Sequence, residues 1–199
     1  MRKFALTLAV LSATLAISCS ARDFLTRRLA ADLIASSTAF QTAEQISIHT
    51  GILSSKDYPA PAYLTLQHHG WITATNANCP PQLAPPPCWD VVLTPAGVEA
   101  IRPLLSAADI DKPAFTFPAA RRQVLEITGI SKQGNTADVE FTWHWIALNE
   151  VGAAFYSSDP HFRSTAGFRE FDDGWRVIQT TPHSGQSLED ALKNAEPVQ

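Results

Sequence analysis

The stretch from Arg121 to Leu148 constrains this chain more than any other, because its side chains change character with a period of two. Val139, Phe141, Trp143 and Trp145 fall on one side of an extended segment, and Glu140, Thr142, His144 and Ile146 fall on the other. A β-strand separates neighbours in this way, so the segment should bury one face of a sheet. Gly134-Asn135 divides the stretch into strands over Arg121–Ser131 and Thr136–Leu148 joined by a tight turn. Further along, Asp172-Asp173-Gly174 separates Arg163–Phe171 from Trp175–Thr180, and Asp-Gly between apolar runs is a strong hairpin signal. Residues 121–183 are therefore predicted to form a four-stranded antiparallel meander, with an irregular connection over 149–162. Its inward face carries Val124 or Leu125, the series from Val139 to Trp145, Phe168 or Phe171, and Trp175 with Val177.

The chain before the meander reads differently. Ala21–Ala35 has Phe24, Leu25, Leu29, Leu33 and Ile34 at helical spacing and predicts an amphipathic helix. Gln45–Ile52, with Ile46, Ile48 and Ile52 at even spacing, predicts a short strand. Ala60–His69 predicts a helix stopped by Gly70. Trp71–Thr75 and Trp89–Leu93 predict a hairpin with a long tip that holds Pro80, Pro81, Pro85, Pro86 and Pro87. Cys79 and Cys88 can close that tip as a disulfide, which would contribute about 2 to 3 kcal/mol on a chain-entropy argument. Thr94-Pro95 then caps and opens a helix.

This order of elements over Gln45–Leu105 resembles a winged-helix domain, on Gly70-Trp71-Ile72 and on Leu93-Thr94-Pro95-Ala96-Gly97. The resemblance implies a winged-helix fold and no DNA reading, because the segment in the place of the recognition helix, Ala60–His69, contains no Lys or Arg. Thr136 to Phe141 and Phe171 to Val177 resemble the last strands of nuclear-transport-factor-2-like and cystatin-like sheets. The fold class expected is α+β, a winged-helix-like N-terminal half followed by the four-stranded meander. The expected organisation is a signal peptide over 1–18, a helical subdomain with the disulfide-closed loop over 19–105, a linker over 106–120, the sheet over 121–183 and a tail over 184–199.

The N-terminus sets the expected address. Met1-Arg2-Lys3, the apolar run Phe4–Ile17 and Ser18-Cys19-Ser20 have the layout of a secretory signal, too short for a membrane-spanning helix. Leu15-Ala16-Ile17-Ser18-Cys19 resembles the lipobox of bacterial lipoproteins, with Ala16 where that family usually has Leu. The resemblance implies acylation of Cys19 as the first mature residue; ordinary cleavage near Ala21 is the alternative. Parity agrees with acylation, since Cys79 and Cys88 pair and leave Cys19 odd. Ser20 replaces the Asp that resembles an inner-membrane retention signal, which implies the periplasmic face of the outer membrane, with a soluble periplasmic protein as the alternative. Of 15 basic residues, Arg2 and Lys3 leave with the signal, and the remaining 13 face 19 acidic ones, a net charge of −6. Such a body offers no nucleic-acid footprint, and the short, interrupted basic clusters Arg22/Arg27/Arg28 and Arg121/Arg122 read as solvated faces.

No spacing in the chain nominates a catalytic residue, a metal ligand set or a cofactor site. The six histidines are scattered apart from His68-His69, which diverge on a helix, so His68, His69 and Asp90 are only the best of a poor set for zinc. Cys79 and Cys88 are too far apart for a redox pair and read as structural. Aromatics of a sheet are core by default, yet on a concave sheet Phe141, Trp143, Trp145 and Trp175 could line an apolar ligand pocket. The leading expectation is an exported, lipid-anchored, non-catalytic envelope protein, held to the membrane by its anchor and meeting an envelope protein partner. A binder of a small apolar ligand beside the sheet tryptophans is the alternative. A hydrolase-like enzyme is third, and needs His144 or His161 to meet a carboxylate in a cleft.

Overall fold

The computed structural model describes residues 24–83, 86–106, 112–157, 159–178 and 185–198. The signal segment 1–18 and Cys19 lie outside the described residues. The chain opens with helix α1 (Arg27–Ala35) and the short α2 (Thr38–Gln41), followed by strands β1 (Glu44–His49) and β2 (Gly51–Ser54). Helix α3 (Pro61–His68), the hairpin β3 (Ile72–Ala77) and β4 (Cys88–Leu93), and helix α4 (Pro95–Ile101) come next. The C-terminal part consists of β5 (Ala114–Gln133), β6 (Thr136–Ala147), α5 (Glu150–Phe155), β7 (His161–Phe171), β8 (Gly174–Val177), α6 (Leu188–Lys193) and β9 (Pro197–Val198).

Local chemistry explains most of these boundaries. Thr26 accepts from the Leu29 amide at 3.2 Å, which starts α1 at Arg27, and residues 21–23 of the helix expected over Ala21–Ala35 lie outside the described residues. Thr94 accepts from Gly97 at 3.0 Å and Pro95 opens α4, as its sequence signature requires. The single strand expected over 45–52 is two strands in two different sheets, because Gly51 takes φ +92 and turns the chain between them. The Cys79–Cys88 disulfide is formed and closes the proline-rich tip.

The expectation of a winged-helix half followed by a separate four-stranded meander is overturned. The architecture is mostly β, with a six-stranded antiparallel sheet in the order β1-β5-β6-β7-β8, β9 pairing beside β8 on β7, and a small three-stranded sheet β2-β4-β3. The meander β5 to β8 is present, but β1 from the N-terminal part pairs with β5, Ile46 opposite Phe117 and Ile48 opposite Phe115. The stretch 106–120, read as a linker for its Asp and Pro residues, holds the first residues of β5 from Ala114 onward. The reason is burial: Ile46, Ile48, Phe115 and Phe117 have little chance of hiding from water within a small helical unit and instead pair across one sheet.

Most large apolar side chains of the big sheet lie on one face. Residues directly opposite in an antiparallel pair share a face, so the register fixes the set. Ile46 with Phe117, Glu44 with Ala120, Arg122 with Trp145, Val124 with Trp143, Ile127 with Phe141 and Ile130 with Val139 all point the same way. β5 keeps to that face by bulges that insert an extra residue at Ala119, Leu125 and Thr128, each of which resets the alternation. One end of the face is covered by the small sheet with α3, α4 and α5, where Tyr58, Tyr63, Leu66, Ile72, Val91, Ile101 and Val151 are buried. The other end is covered by α1, α2 and α6, whose Ala30, Ile34, Phe40, Leu188 and Leu192 meet Phe141, Trp143, Phe168 and Trp175. The tail expected over 184–199 therefore supplies core residues through α6, from Leu188 and Leu192. The opposite face is polar, with the Ser47 and Thr116 hydroxyls 2.9 Å apart across the strands.

From Arg121 onward no described strand pairs with the outer edge of β5, and α1 lies along it instead, with Arg27 Nη2 reaching the Thr128 carbonyl at 3.5 Å. The α5 helix is docked as closely as backbone allows: Asn149 caps Gly152 at 2.7 Å and donates to the Pro118 carbonyl at 2.6 Å. A Cβ on Gly152 would lie 1.9 Å from the Ala119 carbonyl oxygen, so no side chain fits between helix and bulge. Gly152→Ala is expected to lower unfolding stability by about 2 kcal/mol or more, as overpacking against backbone does. Urea denaturation followed by tryptophan fluorescence measures it, and a midpoint equal to that of the unaltered chain would contradict the docking.

Candidate functional site

The sheet tryptophans do not line an open pocket. Phe141 and Trp143 are 0% and 2% exposed, and Trp175 is buried beneath Lys132, whose Nζ lies 4.7 Å from the ring centroid. Trp143 is fixed from three sides: its Nε1 donates to Ser164 at 3.0 Å, Phe162 stacks on it at 4.6 Å, and Phe40 meets it edge-on at 6.5 Å. Ser164 in turn donates to the Ala191 carbonyl at 3.2 Å and so ties the indole to α6. Of the four candidate pocket residues only Trp145 is partly open, at the junction between the two covered ends of the sheet.

That junction is occupied by Arg122, whose side chain is 13% exposed. A buried cation must be repaid by partners, and each part of this guanidinium has a different one. Its plane sits over Trp145 at 4.6 Å and within 5.6 Å of the Trp143 centroid. Nη1 donates to the Ala39 carbonyl at 3.0 Å, and Nη2 lies 3.9 Å from a Glu44 oxygen, an ion pair beyond hydrogen-bond length. Nε is buried without an acceptor. Burial pushes the Arg122 pKa below its ordinary value, with Glu44 and Glu189 pulling the other way. Tyr156 meets Trp145 from the α5 side with tilted rings, centroids 4.9 Å apart, and burial raises its phenol pKa, followed by the Glu44 charge.

A groove of about 790 Å³ opens outward from Arg122, between the α1–α2 corner and α6. Its walls hold Leu33, Ala39, Val177, Ile178 and Leu188, together with Glu44, Arg176, Glu189 and Lys193. Lys193 pairs with Glu189 at 2.9 Å and Arg176 pairs with Asp173, all on largely exposed side chains. The volume is within the range of small-molecule sites, and apolar walls with a few charged groups are what such sites present.

The remaining residues singled out from the sequence stay apart. His69 stacks on Trp71 at 4.7 Å, whereas Asp90 faces Ile52 and Thr75 in the small sheet. Among the described residues no three His, Cys, Asp or Glu side chains gather as a metal group would. His144 Nε2 lies 2.9 Å from Gln123 Oε1 and its ring meets His161 at 5.8 Å, on the polar face. Arg122, the centre of the groove, was read from the sequence as part of a solvated pair. The available signal was strand alternation: in β5, Arg121 and Arg122 must take opposite faces, and Arg121 alone is solvated.

Fold and groove define a class of protein: a one-faced antiparallel sheet with two separate covers and a charged cleft in the second. No family model, no curated protein and no solved structure matches the chain.

Two outcomes test this geometry. Arg122→Lys keeps the charge but loses the planar stack on Trp145, and is expected to cost about 1 to 2 kcal/mol of stability in guanidinium denaturation. Tyr63 and Tyr156 both have folded pKa values raised by burial, so their stabilisation is complete below about pH 10 and is lost as pH climbs through the higher folded values. Urea midpoints should therefore fall on going from pH 9 to pH 11, and the fall should be smaller in Tyr156→Phe.

Proposed function

We propose that this protein is an exported envelope protein, anchored through Cys19, that acts without catalysis and binds a ligand in the groove beside Arg122. The N-terminal layout and the lipobox-like segment support export and acylation. The formed Cys79–Cys88 disulfide is in keeping with an oxidising compartment and leaves Cys19 as the odd cysteine. A position on the periplasmic face of the outer membrane follows from Ser20 after the cysteine, with cleavage near Ala21 and a soluble periplasmic protein as the alternative. The observation that carries the binding reading is the groove itself, a partly apolar cleft lined by a nearly buried guanidinium whose Nη2 lies 3.9 Å from its nearest carboxylate oxygen. The apolar pocket expected beside Trp143 is replaced by this site, since Trp143 is committed to Ser164 and Phe162.

Cys19→Ser tests the anchor in a bacterial host. The unaltered protein should incorporate labelled palmitate and sediment with membranes, and the variant should lose the label and move to the soluble periplasmic fraction. A variant that still sediments with membranes would sink the anchor while leaving the groove untouched.

A further inference from the structure

We infer that the groove at Arg122 seats an amphiphile with an anionic head, a carboxylate or a phosphate on an apolar chain; this rests on the binding reading above. The first ground is charge. The chain carries a formal net charge of −4, yet the groove is lined by three cations, Arg122, Arg176 and Lys193, against two carboxylates, Glu44 and Glu189. Arg122 and Lys193 are paired within the groove by Glu44 and Glu189, and Arg176 pairs with Asp173, so the lining presents cations that an anion can compete for on a molecule that is acidic overall.

The second ground is which donors are free to receive a ligand. Nη1 of Arg122 is spent on the Ala39 carbonyl and the ring face on Trp145, whereas Nη2 has its nearest acidic oxygen, from Glu44, at 3.9 Å. Nη2 thus has a carboxylate close enough to neutralise it and too far to accept its protons. An oxygen of a bound head group completes it, and planar donor edges suit carboxylate and phosphate. Lys193 stands at the rim in an exposed pair with Glu189, and exposed pairs of this kind are worth little, so an incoming anion can take Lys193 over at small cost.

The third ground is the wall. Leu33, Ala39, Val177, Ile178 and Leu188 give the cleft an apolar side that a free inorganic anion would leave wet. A ligand with both parts buries that side and satisfies Nη2 together. A neutral amphiphile of the same length covers Nη2 without pairing it and should bind at least about tenfold more weakly.

The test uses the mature chain with Cys19→Ser, so that no lipid of its own competes, and four probes below their micelle concentrations: dodecanoate, dodecyl phosphate, dodecyl maltoside and dodecyltrimethylammonium. Calorimetric titration should show one site for dodecanoate, dodecyl phosphate or both, about tenfold or more tighter than for the neutral and cationic probes, and weaker in high salt. The two anionic arms separate a carboxylate head from a phosphate head. Lys193→Gln and Arg176→Gln, each still folded by circular dichroism, should weaken the anionic probes severalfold and leave dodecyl maltoside unchanged. Equal affinity for the neutral or cationic probe overturns the anionic class and leaves a binding groove standing. Anionic binding untouched by both substitutions places the ligand elsewhere and overturns the inference. Silence from all four probes overturns the inference and the binding reading together.

Discussion

Everything in this fold depends on β5 holding one face toward the interior along its whole length from Ala114 to Gln133. A strand of this length accumulates twist, and strict alternation through it would swing half of its apolar residues to the wrong side of the sheet. The bulges at Ala119, Leu125 and Thr128 absorb the mismatch. At the first of them two alanines in succession are buried, Ala119 and Ala120, and small side chains are what a doubled position can accommodate. The same bulge receives α5, which comes so close that only glycine fits at position 152. This bulge keeps Phe115 and Phe117 before it and Val124 after it on one face and anchors the helix between the two covers, and the bulge at Leu125 brings Ile127 to the same side.

Two covers on one face leave a seam, and Arg122 fills it. An apolar residue there would pack against Trp145 as well, and buried ion pairs are often no better than well-packed hydrophobic substitutes. What the arginine adds is direction. Its stem and plane belong to the core, its Nη1 fixes the carbonyl of Ala39 at the α2 turn, and its Nη2 lies near Glu44, which lines the groove with it. The seam between two structural layers in this way also lines a cleft where charge and apolar surface meet.

The meander was legible because its signals are local. Alternation in β6, Gly134-Asn135 and Asp172-Asp173-Gly174 sit within a few residues of the turns they specify, and the cap at Thr94 needs only Pro95 and Gly97. The pairing of β1 with β5 has no such signal: Ile48 and Phe115 are far apart in sequence, and neither contains information about the other. Reading the chain in consecutive pieces therefore produced two halves where the sheet is shared. Helix α5 was missed for a different reason. Glu150 to Phe155 is short and contains glycine, which argues against a helix, although Asn149 was a usable cap signal. The groove was missed because a pair of arginines was judged by composition, when its place on a strand already sent the two side chains to opposite faces.

The arrangement of α1 along the outer edge of β5 has a consequence for the life of the chain. From Arg121 to Gln133 that edge has no strand partner among the described residues, and an uncovered edge is a template for another chain's backbone. The bulges make it a poor template and α1 lies over it, with Ser36 and Ser37 exposed or half-exposed at the corner where the helix gives way to α2. A protease cut at that corner would free α1 from the chain and uncover both that edge and the core side chains packed against Ala30 and Ile34. The clipped product would keep its disulfide and most of its core, and would be expected to self-associate edge to edge, so that the first helix acts as a chaperone carried within the fold as much as a part of its interior.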